Sequence, residues 1–148
     1  MSSIRSLMTD DHRHCDDLFA ATEQAMADND LEAAATAFAG FQSAMLAHFE
    51  AEENTLFPTF EAKTGMRQGP TQVMRLEHVQ LRGLLEAAGE ALLAGQGEDY
   101  LGQAESLLFM MQQHNMKEEN ILYPMCDQHL LAELPAVLER LNSELMPA

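Results

Sequence analysis

One stretch of this chain occurs twice, 66 residues apart, and both copies carry the same chemistry. His48-Phe-Glu-Ala-Glu52-Glu53-Asn54-Thr55-Leu56-Phe57-Pro58 returns as His114-Asn-Met-Lys-Glu118-Glu119-Asn120-Ile121-Leu122-Tyr123-Pro124. Asp11-His12 returns at the same offset as Glu77-His78, so each upstream histidine precedes its His-x-x-x-Glu partner by 36 residues. A duplicated unit with two histidines and a glutamate on separate segments favours two like halves that converge on one place.

The halves read as helical. Ala, Leu, Met, Glu and Gln dominate and Trp is absent, a composition of strong helix formers. A first segment runs from Ser2 or Ser3, either a fair N-cap, to about Ala27, with Ile4, Leu7, Met8, Cys15, Leu18, Phe19, Thr22 and Met26 in steps of three and four. Asp30 can cap a second segment that reaches about Lys63, with Pro58 bending or breaking its last turns and Gly65 stopping it. Gly69-Pro70 opens a third segment with Val73, Leu76, Leu81, Leu84 and Leu85 on one stripe, ending at Gly95. A fourth runs from about Glu98 to Tyr123, again punctuated by Pro124, and Leu130 to Leu145 forms a short last helix interrupted by Pro135. Short loops between long helices force antiparallel neighbours. The expected fold is therefore all-α, one domain over residues 1–148: an up-down-up-down four-helix bundle with a pseudo-twofold internal repeat and a short C-terminal helix.

Residues four apart share a helix face, so His48 points with Glu52 and His114 with Glu118. His12 and His78 come from the other helix of each hairpin. Turned inward, the six side chains His12, His48, Glu52, His78, His114 and Glu118 form a ligand set for two metal ions. Imidazole-plus-carboxylate sets of this kind build bundle-core dimetal sites. Mixed nitrogen and oxygen donors suit iron, manganese or zinc and argue against calcium. If Glu52 and Glu118 both bridge, each ion receives two nitrogens and two oxygens. A bridging oxide or hydroxide adds a fifth donor, and one position per ion stays open. Glu53 and Glu119 repeat as well, about 100° around the helix from Glu52 and Glu118; supporting, spare bridging and solvated roles are open to them, with solvated favoured. Asp11 and Glu77 are expected to stabilise or solvate rather than ligate. His14 and His129 read as surface residues, and Met74 and Cys15 as core.

The formal charge of −16, with eight scattered Lys and Arg, argues against nucleic acid and anionic membranes as partners. Two cysteines build no disulfide framework, and the early polar, acidic N-terminus does not resemble a signal peptide. A cytoplasmic protein is the expectation.

These motifs resemble the hemerythrin-like, or HHE cation-binding, family. The resemblance rests on His12, His48-x-x-x-Glu52, His78 and His114-x-x-x-Glu118, and extends from the first helical segment through the fourth. It implies a four-helix bundle holding two iron ions with an oxo bridge, the same six residues serving as ligands. Oxygen-carrying members use five histidines, with His-x-x-x-His on the third helix and His-x-x-x-x-Asp on the fourth. This chain has Met74-x-x-x-His78 and His114-x-x-x-Glu118 there, a near-symmetric set that argues against simple reversible oxygen carriage. It is closer to the hemerythrin-like domains of bacterial iron-centre repair proteins, without their cysteine-bearing N-terminal segment.

Three functions fit the sequence. The first is a non-haem di-iron protein that binds or senses O₂, NO or peroxide, or holds labile iron. The second is an enzyme acting on peroxide or NO at the same two metals. The third is a structural or interaction module with zinc or another redox-silent ion.

Overall fold

A computed structural model describes residues 2–145, and helix is the only regular structure among them. The order is α1 (Ile4–Ala27), α2 (Leu31–Ala51), a π-helical turn π1 (Glu52–Leu56), α3 (Phe57–Thr64), α4 (Pro70–Leu93), α5 (Gly97–Lys117), a second π turn π2 (Glu118–Leu122), α6 (Tyr123–His129) and α7 (Leu134–Leu145). The sequence repeat is thus a structural one: long helix, short turn, long helix, π turn, short helix, twice over. The chain is a helical bundle in which α1 packs along α2 and α4 along α5, while α2 with α4 and α1 with α6 join the halves.

The helix ends follow the expected chemistry. The Ser3 hydroxyl accepts the Ser6 N–H at 3.0 Å, and the Asp30 carboxylate accepts the Ala33 N–H at 3.0 Å. Asp127 of α6 accepts the Ile4 and Arg5 N–H groups at 2.8 and 3.1 Å, tying the start of α1 to the second half. Gly65 closes α3 at φ 75°, a left-handed conformation that costs glycine nothing.

The π turns have a local cause. Pro58 and Pro124 lack an N–H, and in a regular α-helix their rings would press on the carbonyls of Asn54 and Asn120, four residues back. One extra residue in the turn relieves that contact, the widened turn closing with the Phe57 N–H on the Glu52 carbonyl and the Tyr123 N–H on the Glu118 carbonyl. The prolines therefore do not break the helical run; each follows a π turn that takes up one extra residue. Pro135 likewise opens α7 in its first turn instead of interrupting a helix that began at Leu130.

Two apolar cores result. One contains Cys15, Phe19, Phe38, Phe41, Met45, Leu81, Leu85, Tyr100, Leu107 and Met111; the other contains Ile4, Met8, Leu56, Phe57, Phe60, Met74, Leu122, Tyr123 and Leu141. On each long helix the repeated histidine lies at the boundary between them: His12 between Met8 and Cys15, His48 between Met45 and Ala51, His78 between Met74 and Leu81, His114 between Met111 and Leu122. The expected third-segment stripe is only partly buried. Leu81 and Leu85 are fully covered, whereas Val73 and Leu76 are exposed. At Val73 the reason is α7, which packs on α1, α2 and π1. It covers Leu7, which the repeat aligns with Val73, and leaves the second half without a cover.

Candidate metal centre

All six side chains singled out by the repeat are buried, and all six converge between the two cores. Ligating atoms of Glu52, His78, His114 and Glu118 lie within 4.8 Å of one another, and so do those of His12, His48 and Glu118. Glu52 faces both groups: Oε1 is 3.1 Å from His78 Nε2, and Oε2 is 3.6 Å from His48 Nε2. Glu118 Oε1 is 3.1 Å from His12 Nε2 and 3.4 Å from His114 Nε2. The two carboxylates thus lie across both histidine pairs.

Each imidazole is held from behind by a carboxylate. His12 Nδ1–H donates to Glu119 at 2.7 Å and His78 Nδ1–H to Glu53 at 2.6 Å, each contact crossing from one half to the other. His48 donates to Asp11 at 2.7 Å and His114 to Glu77 at 2.8 Å, within a half. With Nδ1 carrying the hydrogen, every Nε2 lone pair is aimed at the centre, the arrangement that orients imidazole toward a metal and raises its basicity. The solvated role favoured for Glu53 and Glu119 is therefore replaced by a bonded one. The sequence signal for it was present, since each follows its inward glutamate in both copies of the motif. Arg82 completes the support on one side, donating to both Glu53 oxygens at 2.8 Å, and Lys117 binds Glu77.

Four buried atoms at the centre have no hydrogen-bond partner: Glu52 Oε1, Glu118 Oε2, His78 Nε2 and His114 Nε2. Lone pairs facing lone pairs, in a site walled by apolar residues, cost several kcal/mol each unless positive charge enters. With protein groups alone, only protons can supply it. Burial would lower the His48 and His114 pKa values, but Glu52 beside His48 and Glu118 beside His114 reverse the sign. His48 is held well above the ordinary imidazole value and His114 is pushed up to about 9. Burial raises the Glu118 carboxyl, yet His114 and the other hydrogen-bonding neighbours bring it well below its usual range. The donor set is suited to metal cations, which meet the same demand without protons.

One participant escaped the sequence reading. The Tyr123 hydroxyl lies 2.7 Å from Glu52 Oε2, 2.9 Å from Glu118 Oε1, and 3.2 Å from both His12 Nε2 and His48 Nε2. On α-helical geometry a residue five positions after Glu118 points about 140° away from it. The extra residue of π2 makes the fifth position act as the fourth, and the phenol swings inward. Phe57 is its counterpart after π1; it stacks on His78 with ring centroids 5.7 Å apart, and Phe49 stacks there at 4.2 Å. Burial, with Glu118 and Glu52 alongside, holds the Tyr123 phenol well above its ordinary pKa. His14 and His129 are exposed, and Cys15 and Cys126 are buried free thiols. Met74 is packed in the second core, as expected.

No match was found among curated proteins or among solved structures. A family match was found, to the hemerythrin HHE cation binding domain over residues 3–126, a span that takes in all four histidines, both inward glutamates and Tyr123. The repeat, the helical bundle and the buried cluster of cation-seeking donors agree with it, and this chain belongs to the hemerythrin HHE cation-binding family.

Proposed function

We propose that the chain is a non-haem dimetal protein, with His12, His48, Glu52, His78, His114 and Glu118 as ligands, that binds or senses O₂, NO or peroxide or holds labile iron. The observation that carries this reading is the set of four imidazoles with Nδ1 fixed outward and Nε2 converging on two buried carboxylates, each with one oxygen left unpaired. Iron is the ion that the family resemblance implies, and the mixed nitrogen and oxygen donors suit it. Two such ions supply redox equivalents and open coordination positions for a small molecule.

The protein's own groups do the rest. Asp11, Glu53, Glu77 and Glu119 hold the imidazole planes and tautomers, so the donors need no rearrangement when an ion arrives. Phe49 and Phe57 keep the His78 side apolar and exclude water. The surface clefts, such as those beside Asp16 and Phe19 or beside Asn54 and Pro58, are lined by none of the six donors. That favours ligands of two or three atoms over larger organic substrates. The test is iron loading of metal-free protein followed by anaerobic exposure to NO and to peroxide. Two irons per chain and a spectrum changed by NO support the reading; zinc-only binding with no response to either ligand removes it.

A further inference from the structure

We propose that the two metal positions are not equivalent: Tyr123 ligates the ion held by His12 and His48, while the ion held by His78 and His114 keeps the open position. This rests on the dimetal reading above and adds a seventh protein ligand to it. Around a six-coordinate ion with bonds of about 2.1 Å, neighbouring donor atoms are about 3.0 Å apart and opposite ones about 4.2 Å. Tyr123 Oη meets that spacing four times over, at 2.7, 2.9, 3.2 and 3.2 Å from Glu52 Oε2, Glu118 Oε1, His12 Nε2 and His48 Nε2. His12 Nε2 and Glu118 Oε1 are neighbours at 3.1 Å, and His48 Nε2 and Glu118 Oε1 are opposite at 4.0 Å. Among these five donor atoms the His48 Nε2–Glu52 Oε2 pair, at 3.6 Å, falls between the two spacings, and the other distances match one coordination shell.

Hydrogen bonding alone explains the position poorly. One hydroxyl carries one proton, so it can donate to Glu52 or to Glu118 but not to both. As a ligand the oxygen needs no proton. The phenol hydrogen leaves to solvent as the ion binds, the ion's charge taking its place. On the other side the repeat puts Phe57, which has no donor atom, and the orphaned His78 and His114 nitrogens and Glu52 Oε1 have no phenol among them. The second position is therefore one protein ligand short of the first.

The test is resonance Raman and visible absorption of iron(III)-loaded protein. The chain has only two tyrosines, and Tyr100 is remote from the site, donating to Glu23 at 3.1 Å. Expected are a phenolate-to-iron charge-transfer band and tyrosinate ring vibrations in the wild type. Both persist in Tyr100→Phe and vanish in Tyr123→Phe, which still holds two irons. Persistence in Tyr123→Phe, or loss in Tyr100→Phe, overturns the proposal. If Tyr123→Phe fails to fold, the wild type and Tyr100→Phe suffice, since signals in both leave Tyr123 alone as their source. Two irons bound with no tyrosinate signal overturns this inference only, whereas failure to bind iron overturns it together with the dimetal reading.

Discussion

Around His78 and His114 the supporting carboxylates are neutralised, Glu53 by the Arg82 guanidinium and Glu77 by the Lys117 ammonium. Around His12 and His48, Glu119 and Asp11 form no ion pair with Lys or Arg among the described residues. The same motif, written twice, is therefore set in two electrostatic environments. A carboxylate that also serves a cation pulls less on the imidazole N–H, so His78 and His114 are the weaker donors and His12 and His48 the stronger. Tyr123 on the second pair and Phe57 on the first extend the difference. One side gathers negative charge and suits a harder, more highly charged ion; the other is neutral and apolar. Duplication supplied the donors, and departures from the duplicate distinguish them.

The comparison is broken most completely by removing what the two sides share. Glu52→Gln should reduce metal content from two ions per chain to less than one, read by elemental analysis after iron loading, because this carboxylate faces both histidine pairs. Next in size is a change that spares the site. Phe38→Ala, in the core beyond the histidines and packed edge-on against Tyr100, should lower stability by about 3–5 kcal/mol in denaturant titration while metal content stays at two. A loss of metal in this variant would mean that site and core are not separable.

Sharper tests change one side at a time. Glu119→Gln and Glu53→Gln each remove the charge behind one imidazole and should weaken metal binding about 10- to 100-fold. The effect of Glu119→Gln should fall on the ion next to Tyr123 and alter the charge-transfer band. Glu53→Gln should leave that band in place and change the NO-bound spectrum. The most graded effect is on pH dependence. The raised folded-state pKa of His114 stabilises the metal-free protein fully below about pH 6.5, and that contribution is lost as pH rises through about 9; the raised His48 pKa acts in the same direction. Metal requires the deprotonated imidazoles, which the unfolded chain also carries above about pH 6.5, so loaded protein should escape that loss. Thermal melts between about pH 6.5 and 9 should show stability falling in the metal-free form and not in the loaded one.

The donor set was legible because repetition marks it: four histidines and two glutamates recur at fixed offsets, whatever the exact helix boundaries. The helices were legible too, from caps at Ser3 and Asp30 and the glycine at 65. Tyr123 was not, because its inward direction depends on a π turn that a 3.6-residue period cannot represent. Pro58 and Pro124 were noticed as breaks, but not as the cause of that turn. Glu53 and Glu119 were seen to repeat, yet their partners are histidines of the opposite half, a pairing only the packed structure displays. Val73 and Leu76 fit the apolar stripe of α4 and are nonetheless exposed, at Val73 because α7 covers only the first half.

A dimetal site requires two ions in one buried cluster, and the most direct test is calorimetric titration of metal-free protein with iron(II) under anaerobic conditions. The expected result is saturation at two ions per chain with proton release on binding. Saturation at one ion, or no binding while the helical fold is intact, would contradict it.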